Sequence, residues 1–278
     1  MKKQRIVITG GGSGLGRALA LDYARAGWRV AVLDRDAASA AAVAAEIEAA
    51  GGKALALACD VTDAAAVADA ATAILRGWHG VDVLINNAGI AGSGTVVDTP
   101  EEDWRRILEV NLFGVVTVSR AFVPAMIRAG AGHVVNIASA AGFVSPPGVA
   151  AYNVSKAAVI SLSETLRVEL APHGIGVSVA CPSFFKTNLL EDFSGSEESR
   201  LMALRLMEKS SLDADDVARL IRRGVRKNSF MILPHAEARA IFLMKRFAPD
   251  VFFATVKKRA GGFLKAQAQQ ARTARKRA

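Results

Sequence analysis

Tyr152 and Lys156 stand four residues apart in the segment AAYNVSK, and Tyr152 is one of only two tyrosines among 278 residues. A free phenol, with a pKa of about 10, is a poor base at neutral pH. An ammonium one helical turn away lies on the same face, and its charge favours the tyrosinate. The pair therefore has the chemistry of a proton-transfer group beside a cation that tunes it. The same spacing also describes an ordinary pair on a helix surface, so the motif alone decides nothing. A second group of residues is more demanding. Thr9-Gly-Gly-Gly-Ser-Gly-Leu-Gly16 follows a short apolar run and opens a helical one. Gly10, Gly14 and Gly16 allow a tight turn, and the backbone through Ser13 and Leu15 can meet a pyrophosphate at a helix N-terminus. Asp34 ends the next apolar run, eighteen residues beyond Gly16. A carboxylate there accepts hydrogen bonds from both adenosine ribose hydroxyls and repels a 2′-phosphate. Ser13 brings no compensating charge, so NAD(H) is favoured over NADP(H). Arg35 keeps NADP(H) open, because it either swings inward to a phosphate or stays a solvated surface arginine.

These residues need a scaffold, and the apolar pattern predicts one. Short Val- and Ile-rich runs lie at 5–9, 29–34, 53–59, 81–86, 133–138, 176–181 and 230–233. Between them the sequence predicts helices near 14–26, 36–50, 63–78, 102–129, 151–172 and 213–227. Asp36 and Asp63 are expected N-caps, and Gly27, Gly51 and Gly130 expected C-terminal stops. The runs are apolar throughout rather than alternating, which implies burial on both faces. Repeated β-α-β order predicts an α/β fold with a doubly wound, Rossmann-type parallel sheet of about seven strands and helices on both faces. No Pro- or Ser-rich linker precedes residue 235, so residues 1–234 are expected to form one domain. Loops are expected at 91–99, 142–148 and 183–211. The last is long, mixes Phe184, Phe185, Leu189, Leu190 and Phe193 with acids, and is expected to act as a lid.

Composition narrows the classes further. About half the chain is apolar (51%), as in a folded soluble protein. Cys59 and Cys181 form no CxxC pattern, which fits a reducing compartment. His79, His133, His173 and His235 are scattered, so no metal site is expected. The basic N-terminus passes through three apolar residues only, too few for a signal-peptide core. No uninterrupted apolar stretch approaches the ~20 residues of a membrane span. A cytoplasmic protein is expected.

At this point the sequence closely resembles the short-chain dehydrogenase/reductase family, in its compact branch. The resemblance rests on Thr-Gly-x-x-x-Gly-x-Gly at 9–16, Cys-Asp-Val-Thr-Asp at 59–63, Asn-Asn-Ala-Gly at 86–89, Asn111 in VNLFG, Ser139 in NIASAAG, and Tyr152 with Lys156. It covers roughly residues 5–234, and the motifs in this order are highly specific. The resemblance implies that Asp60 and Val61 meet the adenine ring, and that Asn87, Ala88 and Gly89 wall the cofactor groove. Pro182, Phe185 and Thr187 match an element whose threonine hydrogen-bonds the nicotinamide carboxamide, although Ser183 stands where relatives carry glycine. It further implies Tyr152 as acid and base, Lys156 as pKa tuner and ribose ligand, Ser139 as the hydroxyl that orients substrate, and Asn111 as a relay holding water through its backbone. Relatives usually pair through the helices at 102–129 and 151–172, so a homodimer or homotetramer is implied.

The expected activity is hydride transfer between a nicotinamide and an alcohol or ketone. Phe143, Val144, Pro146 and Pro147, with the apolar 184–193 stretch, favour a hydrophobic substrate. Reduction of a 3-oxoacyl thioester is the rival within the family. A non-catalytic NAD(H) sensor is a rival of another class, against which the complete Ser, Tyr, Lys and Asn set argues. The net charge of +9 is uneven: residues 251–278 carry eight cations and no acid. With Ile241, Phe242, Leu243, Phe247, Val251, Phe252 and Phe253 this extension, 235–278, reads in two ways. It covers the body or a neighbouring subunit with its basic end solvated, or it docks peripherally on an anionic membrane. Pro249 should break any helix through it. No recognition motif accompanies the basic charge, so no nucleic-acid partner is expected.

Overall fold

The computed structural model describes residues 4–262. Its strands are β1 (Arg5–Thr9), β2 (Arg29–Asp34), β3 (Lys53–Ala58), β4 (Val83–Asn86), β5 (Gly132–Ile137), β6 (Ile175–Ala180) and β7 (Met231–Ile232). They form one sheet in the order β3-β2-β1-β4-β5-β6-β7, with every neighbouring pair parallel. β1 and β4 are buried along their whole length, which explains why their sequences are apolar without alternation. Ile6 and Ile8 of β1 face one apolar cluster and Val7 faces the other, as the two-residue period of a strand requires. The strand order reverses between β1 and β4. At that point the connections leave in opposite directions and open a crevice at the strands' carboxyl ends.

The cluster around Ile6 and Ile8 is covered by α1 (Gly14–Arg25), α2 (Ala37–Ala49) and α9 (Ala214–Arg226). The cluster around Val7 is covered by α3 (Ala64–Trp78), α5 (Gly114–Ala129) and the C-terminal half of α7 (Ala150–Leu170). Asp36 accepts a hydrogen bond from the Ala38 N–H, and Asp63 from those of Ala65 and Ala66, so both expected N-caps form. Gly27, Gly51 and Gly130 take φ of 85°, 79° and 64° just past their helices, a conformation that costs glycine little.

Three expectations need correction. The expected helix at 102–129 is divided: α4 (Glu101–Leu108) runs through a π-helical stretch, Glu109–Phe113, into α5. By length and composition the run Glu101–Ala129 could cross a membrane, yet Val118, Phe122 and Met126 bury their side chains against the sheet. The segment 142–148, expected as loop, begins inside a short helix, α6 (Ala141–Val144). The segment 183–211 is not a continuous loop, since it contains α8 (Glu197–Glu208). Ser196 caps α8 by accepting from the Ser199 N–H, and Glu197 and Glu198 complement its positive end. After β7 come α10 (Ala236–Phe247) and α11 (Pro249–Arg259). Pro249 is the first residue of α11, where its missing N–H costs nothing, and Ala248 forms the break. Lys265, Arg272, Arg275, Lys276 and Arg277 of the basic tail lie outside the described residues.

Candidate active site

The turns that follow β1 and β4 are locked to each other across the switch point. Thr9 Oγ1 accepts from the backbone N–H groups of Asn87 (3.0 Å) and Ala88 (3.1 Å). Asn87 Nδ2 donates to the carbonyls of Thr9 (3.0 Å) and Gly10 (2.9 Å). Gly10 has φ +58°, and a Cβ there would come within 2.8 Å of the Ala88 Cα. α1 then starts at Ser13 without a side-chain cap and without an acid in its first turn. Its positive end is therefore available to an anion. Asp34 accepts from the Gly12 N–H (2.9 Å) and the Asp36 N–H (3.1 Å), which fixes its carboxylate beside the turn.

A cavity of about 790 Å³ occupies the crevice. Asp34, Arg35, Asp60 and Val61 line one end. Gly10, Ser13, Gly14 and Leu15 line its floor beside Asn87, Ala88 and Gly89. Ser139, Tyr152 and Lys156 line the other end with Pro182, Phe185 and Thr187. Gly14 and Thr187 are in close contact, for a Cβ at Gly14 would reach 2.5 Å from Thr187 Oγ1. Gly16 and Asn111 do not line the cavity. Gly16, expected among the cofactor contacts, packs behind the turn instead, where a Cβ would lie 2.7 Å from Asn87 Nδ2. The uncapped helix start, the close-approach glycines and the fixed Asp34 carboxylate together fit a dinucleotide.

At the far end Ser139 leaves β5 while Tyr152 and Lys156 share one face of α7. The Ser139 hydroxyl acts on the Tyr152 phenol and favours its ionised form. The Ser139 Oγ also accepts from the Ala141 N–H at 3.1 Å, which orients it. Lys156 Nζ donates to the Ile137 carbonyl at 3.0 Å and lies 5.7 Å from the centre of the Tyr152 ring. A Cβ on Gly89 would stand 3.2 Å from that Nζ, so glycine gives the lysine its room. Burial brings Lys156 down to about 8 and pushes Tyr152 up to about 12, against the lowering effect of the Ser139 hydrogen bond. The expected lowering of the phenol by Lys156 together with an oxidised nicotinamide concerns the cofactor-bound state; in the protein by itself burial is the largest influence on Tyr152. Asn111 sits in the π-helical stretch, where its side chain accepts from the Ile90 N–H (2.8 Å) and donates to the Ile90 carbonyl (3.0 Å) and Ser155 Oγ (3.0 Å). Its amide thus ties α7 to the turn after β4.

Some of the cavity wall carried no signal in the sequence. Ala203 and Met207 of α8 and Ala238 and Ile241 of α10 all contribute. Tyr152, Leu189 and Phe193 all pack against a buried cluster of Ala91, Leu190 and Met207, which joins the segment after β6 to the tyrosine. His235 accepts at Nδ1 from the Ser183 N–H (3.1 Å), joining the start of α10 to the unusual Pro-Ser turn. A lone histidine fifty-two residues from its partner gives no pattern to read. Among the described residues no group of three or more His, Cys, Asp or Glu could hold a metal ion.

A family model described as short chain dehydrogenase matches residues 4–198. The probable oxidoreductase EphD of Mycobacterium tuberculosis is 36% identical over 265 residues, which are 91% of this chain and 45% of EphD. The chain thus spans less than half the length of that relative. A 3-oxoacyl-[acyl-carrier-protein] reductase of Synechocystis is 36% identical over 192 residues, covering 69% of this chain and 78% of that one. The crystal structure of a short chain dehydrogenase/reductase from Burkholderia phymatum in complex with NAD aligns with a TM-score of 0.84 at 32% identity, over 90% of this chain and 95% of that one. A metagenomic short-chain oxidoreductase in complex with NADP aligns at 0.68 and 33% identity, over 83% of this chain and 95% of that one.

Proposed function

Because the chain belongs to the short-chain dehydrogenase family, we propose that it is a nicotinamide-dependent oxidoreductase acting on the hydroxyl or carbonyl group of a hydrophobic alcohol or ketone. The observation that carries this reading is one cavity lined both by the glycine turn and by Ser139, Tyr152 and Lys156. NAD(H) is the favoured dinucleotide: the Asp34 carboxylate, fixed by the Gly12 N–H and lining the cavity, suits ribose hydroxyls and would repel a 2′-phosphate.

The bound nicotinamide supplies or accepts the hydride. In reduction Tyr152 donates its phenolic proton to the carbonyl oxygen, and Ser139 orients that oxygen by a hydrogen bond. In oxidation the same phenol, ionised, takes the hydroxyl proton. Lys156 would support the phenolate by its charge and would hold the ribose of a bound dinucleotide through its ammonium protons. Asn111 keeps α7 in register with the turn at Gly89 and Ile90 through its side-chain bonds, leaving its backbone for the relay. Val144, Pro146, Phe184 and Leu189 supply an apolar wall beside the reacting end, which supports a hydrophobic substrate.

The Tyr152→Phe variant tests the assignment. NADH affinity, read by fluorescence titration, should stay within about twofold, while turnover falls by roughly 10²–10⁴. Comparable turnover would remove Tyr152 from the chemistry. The likeness to the Synechocystis enzyme supports a second reading, reduction of a 3-oxoacyl thioester. Assaying aliphatic ketones, steroids and 3-oxoacyl thioesters with both cofactors separates the two.

A further inference from the structure

Ala236, Ala240, Leu243 and Phe247 recur along α10 at spacings of four, three and four, so they share one helical face. All four are exposed, Phe247 at 77%. This is not a helix detached from the body. Its other side buries Ala238, sets Phe242 edge-on against Phe143 with ring centres 5.3 Å apart, and sends Lys245 Nζ to the Phe143 carbonyl at 2.7 Å. On α11 Phe252 is buried, whereas Val251 and Phe253 on either side of it are exposed. Arg239 and Arg246 flank the stripe, and Lys257, Lys258 and Arg259 close α11, all five exposed.

Apolar surface grouped in this way marks an interaction face. Charge decides what fits it. A second copy in a two-fold pairing would bring the same cations against each other. Nucleic acid would satisfy the cations and gain nothing from Leu243, Phe247 or Phe253. An anionic bilayer satisfies both sets, with the apolar residues entering the acyl boundary and the cations at the headgroups.

We propose that the exposed apolar residues of α10 and α11, with the cations Arg239, Arg246, Lys257, Lys258 and Arg259, dock this protein on an anionic lipid surface. The inner face of α10 lines the catalytic cavity through Ala238 and Ile241. Docking therefore sets the cavity about one helix diameter, ~10 Å, from lipid.

Sedimentation of the full chain with phosphatidylcholine vesicles, with and without phosphatidylglycerol, tests this. The protein should pellet with the anionic vesicles and stay in solution with neutral ones. The Leu243→Ser/Phe247→Ser variant should lose roughly tenfold or more in partitioning. The Lys257→Gln/Lys258→Gln/Arg259→Gln variant should lose a similar factor. Both keep buried residues unchanged, and circular dichroism with NADH titration confirms their folding. Equal behaviour of the wild type with both vesicles overturns the proposal. So does a serine variant that pellets as the wild type does, since tail charge alone would then account for binding. A serine variant that changes oligomeric mass without changing pelleting assigns the face to a second copy and also overturns it. Pelleting is read without substrate, so its failure leaves the proposed reaction untouched.

Discussion

Tyr152 is held between two opposing influences, and the balance can be measured directly. Burial raises the phenol to about 12, while the Ser139 hydrogen bond works against it. Tyr23, the other tyrosine, is also raised by burial. An unfolded chain ionises both near 10. The folded chain should therefore show almost no tyrosinate absorbance at pH 10, and unfolding it in guanidinium at that pH should release the signal of two partly ionised phenols. The linkage has a definite sign. The folded pKa lies above the unfolded one, so the contribution to stability is whole below pH 10 and is lost as pH rises toward 12. Substantial tyrosinate in the native protein at pH 10 would show that Lys156 already prevails over burial. The same balance explains the proposed division of labour. A phenol that stays protonated is ready to donate in reduction, and oxidation draws on the added positive charge of an oxidised nicotinamide to lower it.

Between elements, the connection after β6 is tied to the adenosine end of the cavity. Arg35 pairs with Asp192, and Arg106 donates to the Asp192 carbonyl at 3.2 Å. Ser93 N–H to the Ser194 carbonyl, at 2.7 Å, adds a backbone contact to the loop after β4. Asp192 thus occupies Arg35, the cation next to Asp34 in the sequence and a candidate to meet a 2′-phosphate. Replacing it, Asp192→Asn, should raise NADPH affinity relative to NADH by up to about fivefold, the scale of an exposed ion pair. Parallel fluorescence titrations of both cofactors read the ratio, and an unchanged ratio would mean that Arg35 does not turn inward. This latch was not legible in the sequence, which showed Arg35 and an acidic loop but not their meeting. The central strands β1 and β4 were legible because they are buried along their whole length, so burial wrote itself into unbroken apolar runs, whereas the edge strand β3, KALALA, is only partly buried and was legible by its place in the β-α-β order. The glycine turn and the Tyr152–Lys156 pair were legible because spacing along one element fixes their geometry. α8 was missed because Leu201, Met202 and Leu206 face outward, so its apolar residues do not follow the core. The His235–Ser183 bond and the share of α10 in the cavity depend on chain ends meeting after folding, which no local pattern encodes.

At the scale of the whole molecule, the surface left by α7 sets how copies of the chain should meet. Val154, Ser161, Thr165 and Val168 follow one another at spacings of seven, four and three, so they line one face, and all are exposed. The π-helical stretch packs on α7 and leaves Phe113 about half exposed, at 51%. Ile127, fourteen residues on, falls on the same side of its helix as Phe113 and is also exposed. Small residues at Ser161 and Thr165 let a second helix approach closely, while Val154, Val168 and Phe113 supply apolar area to bury. A two-fold axis across α7 would use each of these residues twice, which is how a modest patch reaches the ~800 Å² per partner of a stable interface. Light scattering after size exclusion should give the wild type a mass at least twice that of one chain. Val154→Glu/Val168→Glu should bring it to a single chain with its circular dichroism unchanged, because four buried carboxylates would face one another across the axis. Leu243→Ser/Phe247→Ser should leave the mass as it is. A charged variant that keeps its mass would move the interface off α7, and a mass loss in the serine variant would place it on α10.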